Sequence, residues 1–454
     1  AQAISAQPMI CSERGPVRRW CLRWCALHVW LKSRWILGLV LGVALVSFFA
    51  PLRLSVDEQW YRLQVEEEWP ELDPPSSLPR RCSAKHAALE IAGIDPGLLR
   101  INLPQWQPQA VSNRSGIAYL APCGLPHRIG IVSRVFEHLY RKEDFFYYHV
   151  DRERSGLRAH LVERLGERFG GTLPSNVVVA NMPHAGRVYY WGHTANVFTA
   201  LHEMLRLSKD WQWLIHLHDG AYPVHAPEYM RQYLSARRGV NFMELDPWDL
   251  KHWQASKLTM VHSCETWVGR VAGQTFPQSQ VTANGFHWAQ GGEWWAITRE
   301  LATYFVDDRL RPFLNLMQYR INVEEIIWAS MVLNIPGFAQ LVAYKLTWET
   351  FWCQDSYCRD TRHSPTNLED NLMDEYYMNF RTKLQDLFFI RTVTPGKSEN
   401  LLTWLDARIA WEQWYYSSPN FTGFPPSPPS HPPGHRRPSS LKLLDQLKRA
   451  GSRA

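Results

Sequence analysis

Residues 188–224, VYYWGHTANVFTALHEMLRLSKDWQWLIHLHDGAYPV, pass from a helix into a strand and out into a turn. In TANVFTALHEMLRL the apolar residues return at three- and four-residue spacing. WLIHLH at 213–218 is a short apolar run of strand length that stops at Asp219-Gly220. The alternation extends both ways: IAYLA at 117–121, FFYYHV at 145–150, NVVVA at 176–180 and NFMEL at 241–245 read as strands, and VSRVFEHLYRK, LRAHLVERLGERF and PEYMRQYLSA as helices between them. Strands alternating with helices of this length predict an α/β domain with a mainly parallel central sheet. In an open sheet of that kind a ligand sits beyond the C-terminal ends of the strands, which points to Asp151, His218 and Asp219.

The whole chain has 454 residues, of which 45% are hydrophobic and 20% charged, so it is long and apolar enough to bury a large core. Its 22 Trp, 18 Tyr and 19 Phe supply flat faces that stack on sugars or bases, but equally fill cores. The net charge of +6 is spread, without a basic stripe interleaved with aromatics, which argues against nucleic acid as a partner.

From Trp35 to Leu52 there are 18 consecutive uncharged residues. As a helix they would cover about 27 Å of hydrocarbon. Arg14, Arg18, Arg19, Arg23, Lys32 and Arg34 precede them against Glu13 alone, so the positive-inside rule puts the N-terminal side in the cytoplasm. The expectation is a single-pass type II anchor of the Golgi or endoplasmic reticulum with a lumenal catalytic domain; a cleaved signal peptide fits less well, because the run is long and lacks a clear small-residue cleavage site. The layout is then a cytoplasmic tail at 1–34, an anchor at 35–52, a stem at 53–115, a catalytic domain at 116–416 and a Pro-rich tail at 417–454. Cys82, Cys123, Cys264, Cys353 and Cys358 fall on the oxidising side, where Cys353 with Cys358, or Cys82 with Cys123, are candidate disulfides. Asn113 and Asn420 begin glycosylation sequons.

Four local patterns are candidates for chemistry. Asp151 ends a strand, where a carboxylate accepts hydrogen bonds from a uracil or ribose, or caps the following segment. HLHDGAYP at 216–223 resembles part of a metal-hydrolase pattern, but Gly220 and Ala221 stand where further ligands belong. QGGEWWAITRE at 290–300 sets two glycines before Glu293 and Trp294, which either let backbone approach a ligand or simply turn the chain into a strand and helix. NVEEIIWASMVL at 322–333 places Glu324 and Glu325 at the start of an apolar helix, a position where acids also answer the helix dipole.

In order and spacing, these stretches resemble the core-2/I-branching and peptide O-xylosyltransferase family of glycosyltransferases over about residues 115–395, through FEHLYRKEDFFYYHVDRERSGLRAHLVE, the 188–224 run, YLSARRGVNFMEL, GGEWWAITRE, NVEEIIWASMVLNIPGF, SPTNL and FFIRTV. The xylosyltransferase side of the family is the nearer. That resemblance implies a GT-A-like nucleotide-sugar-binding fold, a UDP-sugar donor and inversion by direct displacement. It further implies Glu325 as the catalytic base, Asp151 and Trp191 at the donor pocket, Arg391 on the diphosphate with Arg359 or Arg362 beside it, and Glu293 with Trp294 on the acceptor side. The chain departs from the pattern at Ala221, where the family has Asp, and at Thr392, where a second cation is expected. No Asp-x-Asp motif occurs, Glu244-Leu245-Asp246 being nearest, so no cofactor is required and a divalent metal is not expected to be essential. The leading expectation is xylose transfer from UDP-xylose to a serine of a core protein. The alternatives are a β-N-acetylglucosaminyl or glucuronosyl branching transferase acting on a glycan, and an inactive sugar-binding relative.

Overall fold

The computed structural model describes residues 116–184, 186, 190–247, 259–264, 267–283, 285–343, 345–349 and 386–418. The expected anchor, stem and Pro-rich tail, the sequons, Cys82, Cys353, Cys358, Arg359 and Arg362 lie outside them. Among the described residues no helix is long and apolar enough to cross a membrane.

In chain order the elements begin with β1 (Gly116–Pro122), α1 (Ile129–Leu139), β2 (Phe145–Val150), α2 (Leu157–Gly166), β3 (Val177–Asn181), α3 (Trp191–Leu207) and β4 (Trp211–His216). They continue through β5 (Tyr222–Pro223), α4 (Pro227–Ser235), β6 (Asn241–Phe242), β7 (Asp246–Pro247), β8 (Thr259–Cys264), β9 (Trp267–Thr275), α5 (Gln278–Ala283), β10 (Ala289–Gln290) and β11 (Ala296–Thr298). The rest are α6 (Arg299–Phe305), α7 (Arg311–Met317), α8 (Ile327–Asn334), β12 (Val342–Ala343), β13 (Thr347–Glu349), β14 (Phe389–Arg391) and α9 (Glu399–Ser417).

The central sheet has the order β12-β6-β11-β4-β1-β2-β3. β3, β2, β1 and β4 run parallel, β11 runs against β4 and β6, and β12 again lies parallel to β6. The expected mixed α/β fold with a mainly parallel sheet is what forms. Because helices cover both faces, the strands are apolar throughout, and their period of two divides each strand between two cores. Ile117, Tyr119, Ala121, Phe146, Tyr148, Trp213 and Ile215 face one core, closed by α1, α2, α4 and α9. Ala118, Leu120, Phe145, Tyr147 and Leu214 face the other, closed by α3, α6, α7 and α8.

Two strands differ from the sequence expectation. β4 starts at Trp211 and ends at His216, so His218 lies in the turn beyond it. Of NFMEL only Asn241–Phe242 pairs, since Glu244 turns away to bond Lys345. Cys123 carries a buried thiol, which burial pushes up, and Cys82, its candidate partner, lies outside the described residues. α9 is pinned by buried polar contacts: Glu412 accepts from the Ala226 N–H and bonds His225 Nδ1, both at 2.7 Å, and Arg408 Nε donates to the Val224 carbonyl at 2.8 Å.

Candidate active site

β1 and β4 diverge from the centre of the sheet, β1 leading back toward β2 and β4 onward to β11, so the C-terminal edge between them is the switch point at which open α/β sheets bind ligands. Past β4, the Leu217 N–H still donates to the Leu120 carbonyl at 2.8 Å. The chain then turns through His218–Ala221, with the Ala221 N–H on the His218 carbonyl at 2.9 Å. β5 leaves this turn and pairs with β14, Tyr222 opposite Ile390, and the Val393 N–H donates to the Gly220 carbonyl at 2.9 Å. These contacts carry Arg391 to the HDGA turn. Gly220 packs tightly here: an added Cβ would lie 2.7 Å from the Thr392 methyl, which would have to shift.

The QGGEWW turn enters beside it through β11. His216 donates its backbone N–H to the Trp295 carbonyl at 2.8 Å, and its Nδ1 bonds the Glu293 carbonyl at 2.7 Å. The Glu293 carboxylate reaches His193 Nε2, on α3, at 2.7 Å. Both side chains are buried, Glu293 at 7% relative exposure. Burial disfavours the charged form of each, but the pair outweighs it: His193 is held up at about 9, while Glu293 falls below the usual carboxylate range, helped by His216 and Arg391. His216 goes the other way, pulled down to about 4 by burial.

Gly291 and Gly292 join this turn to two further acids. The Gly291 N–H donates to the Glu325 carbonyl at 2.8 Å, and the Gly292 N–H to Glu244 Oε2 at 3.2 Å. Glu244 Oε2 also accepts from Lys345 Nζ at 2.9 Å, with the lysine only 3% exposed. Asn322, in the left-handed region at φ 55°, opens a tight turn at Val323–Glu325 ahead of α8. That turn buries Glu324 and leaves Glu325 half-exposed. Burial, then the charges of Glu293 and Glu325, raise Glu324 to about 8, so it is neutral at pH 7 next to an accessible Glu325.

The Trp294 indole sits at the junction. The Arg391 guanidinium lies 4.5 Å from its ring centroid, and His218 meets it edge-on at 4.9 Å. On the far side of His218, Arg128, from just before α1, pairs with Asp219.

The expected residues are thus sorted by the fold. Glu293, Trp294, Arg391 and the Glu325 turn come together. Glu293 does not stand in an open cleft, since its carboxylate is committed to His193. Asp151 directly follows β2 and occupies the N-cap position of the turn at Arg152–Arg154, yet its side chain makes no capping bond. Among the described residues its Oδ1 is buried without a hydrogen-bond partner, and burial raises its carboxyl, opposed by Arg154 and by the backbone N–H groups of Arg154 and Glu153. Trp191 opens α3 half-buried on the second core, its ring 6.0 Å from Phe198. Sequence reasoning passed over Arg128, His193, Glu244 as a carboxylate ligand of backbone, and Lys345. His216 and His218 were visible as an HxH pair, but their spacing suggested metal; His216 Nδ1 is instead turned onto a backbone carbonyl. Among the described residues no group of three or more His, Cys, Asp or Glu is arranged to hold a metal ion.

Residues 117–376 match the model of the Core-2/I-branching enzyme family, more than half of the chain. The chain belongs to that family of glycosyltransferases. Among its relatives, the xylosyltransferase oxt of Drosophila pseudoobscura pseudoobscura is 25% identical over 302 residues, covering 63% of this chain and 32% of that protein. Xylosyltransferase 2 of Mus musculus is 23% identical over 384 residues, or 78% of this chain and 39% of that one. The matched region therefore spans about a third of these relatives' length. Among solved structures, apo mouse xyloside xylosyltransferase 1 aligns with 54% of this Core-2/I-branching family member and 91% of its own chain, at 9% identity and a TM-score of 0.28, too distant to carry an argument.

Proposed function

We propose that this protein is an inverting glycosyltransferase that moves a sugar from a UDP-sugar to an acceptor hydroxyl, with xylose from UDP-xylose to a serine of a core protein as the leading pair. One observation carries the reading: an accessible acid, a tryptophan face and a guanidinium converge at the switch-point edge, Glu325 held by the Gly291 N–H and Arg391 lying over Trp294. In a single displacement the acceptor oxygen forms its bond to the anomeric carbon as the carbon–oxygen bond to the diphosphate breaks. The bonding pair leaves with UDP, and the hydroxyl proton passes to the Glu325 carboxylate. Arg391 answers the charge that grows on the leaving diphosphate. Asp151, with a buried oxygen lacking a partner, accepts from the donor's nucleoside. Glu293, bonded to His193, anchors the turn that carries Trp294 on the acceptor side. In this reading no divalent metal is essential, and the reaction takes place in the Golgi or endoplasmic reticulum lumen, behind an anchor at Trp35–Leu52.

The test is UDP release by the full chain with UDP-xylose, UDP-N-acetylglucosamine and UDP-glucuronate, each with a Gly-Ser peptide and a glycan acceptor, with and without EDTA. One donor should turn over. Glu325→Gln should lower that rate by about 10²- to 10⁴-fold while UDP still binds. A fully active Glu325→Gln removes the assigned base, and UDP binding without any turnover favours a sugar-binding relative.

A further inference from the structure

His218, Asp219 and Arg128 form one polar cluster at this turn: Asp219 Oδ1 pairs with Arg128 Nη1 and lies 3.4 Å from His218 Nδ1. The Gly220 N–H lies 2.9 Å from His218 Nδ1, a contact that requires a lone pair on Nδ1. Burial, then the charges of Arg391 and Arg128, hold the ring neutral, so the remaining proton is on Nε2. Yet Nε2 faces Arg128 Nη1, also a donor, at 3.4 Å. In the tautomer that the Gly220 N–H selects, the two N–H groups do not bond one another, and Nε2–H is left to donate to an acceptor that a ligand brings. Among the described residues Asp219 is the acceptor that engages the Arg128 guanidinium, and it does so at Nη1, leaving Nε and Nη2 for another. Both side chains keep an outlet to solvent, Arg128 at 17% and His218 at 21%. The pair packs closely against Gly220: a Cβ there would lie 3.5 Å from Arg128 Cζ, 3.2 Å from His218 Nδ1 and 2.7 Å from the Thr392 methyl.

We propose that Arg128 and His218 Nε2–H bind phosphate oxygens of the nucleoside diphosphate, Arg128 supplying from the start of α1 the cation that Thr392 does not supply beside Arg391. Trp294 links the two sides, with His218 on its edge and Arg391 over its ring. Asp219 fixes the Arg128 guanidinium through Nη1, and Gly220 fixes the His218 tautomer. The assignment rests on the nucleotide-sugar reading above and adds two residues to it.

The experiment is calorimetric titration of the full chain with UDP and with uridine, for wild type, Arg128→Gln and His218→Asn. Arg128→Gln keeps a donor for Asp219 but removes the charge. His218→Asn keeps an acceptor for the Gly220 N–H but deletes the outward donor. Each variant should weaken UDP about tenfold or more and leave uridine unchanged, because charged hydrogen bonds are the strong ones. In the wild-type chain, UDP should also slow phenylglyoxal modification of Arg128, read by peptide mapping, whereas uridine should not. This arm holds even where a variant fails to fold. Unchanged UDP affinity in folded variants, or equal modification of Arg128 with and without UDP, overturns the proposal while the nucleotide-sugar reading survives. A wild-type chain that binds neither UDP nor uridine overturns both.

Discussion

The Gly291 N–H donates to the Glu325 carbonyl at 2.8 Å, so the backbone of one turn sets the position of an acid on another. The contact exists because Gly291 has no side chain: an added Cβ would lie 2.0 Å from the Glu244 carbonyl oxygen and 3.1 Å from the Ala329 methyl. Backbone cannot yield as a flexible side-chain tip does. Gly291→Ala is expected to destabilise the fold by about 2–3 kcal/mol, in the range of overpacked cores. It should also displace the Glu325 turn, lowering turnover more than UDP affinity. Thermal unfolding and UDP titration of the same variant check this, and wild-type values in both would remove Gly291 as the strut.

The His193–Glu293 pair should behave as a buried ion pair. His193→Ala leaves a carboxylate without its cation next to Glu324, with an expected loss of about 3–5 kcal/mol. Replacing both, as His193→Leu with Glu293→Gln, should recover part of that. His193 lies above its ordinary value, so its share of stability is complete below about pH 6.5 and is lost as pH rises through about 9. Glu293 lies below its ordinary value, so its share is present above about pH 4.3 and is lost on further acidification. Urea unfolding of wild type and the double variant should therefore differ most between about pH 4.5 and 6.5. A gap that stays constant from pH 6 to 10 contradicts the pairing.

Glu324 has the opposite sign of consequence for a carboxyl. Its folded value of about 8 is far above that of an unfolded glutamate, so the native state loses stability as pH rises from about 4.5 towards 8. Glu324→Gln keeps the shape and removes the titration. The variant should gain on wild type over this window, by on the order of 4 kcal/mol at pH 8, measured as the difference in unfolding free energy. A difference independent of pH would mean that Glu324 ionises normally.

The fold was legible where burial is simple. Strands covered on both faces, such as Ile117–Ala121 and Phe145–Val150, are continuous apolar runs of the right length, and the helices between them carry one apolar face each. Asp151 was legible because a charge must leave a buried strand where the strand ends. NFMEL misled because Glu244 is fixed by Lys345, 101 residues away, a partner that local pattern does not register. His193 was hidden for the same reason: it sits within a well-formed helix, and its carboxylate is 100 residues distant. Arg391 and Glu325 were legible only through family resemblance, since a strand-end arginine and a first-turn glutamate are common in folds of every function. Trp294, expected on the acceptor side, has a mostly buried ring that serves as the surface on which His218 and Arg391 rest.

Asp151 yields the prediction that separates base recognition from phosphate recognition. Among the described residues its Oδ1 is buried with no hydrogen-bond partner, an arrangement that calls for a donor from water or a ligand. A uracil N–H or a ribose hydroxyl is such a donor, and both are present in uridine as well as UDP. Asp151→Asn keeps the size but loses the charge that strengthens acceptance, so uridine and UDP should weaken together, by about tenfold. This differs from Arg128→Gln, where UDP alone should weaken. Burial raises the Asp151 carboxyl, so the wild-type chain should lose uridine affinity on acidification from a pH above the usual carboxylate range, as protonation removes the acceptor, and Asp151→Asn should show no such dependence. Uridine titrations of both proteins from pH 4 to 7 measure this directly. A wild-type curve flat over that span, or an Asp151→Asn chain that binds uridine as tightly as wild type, would return Asp151 to a purely structural role at the end of β2.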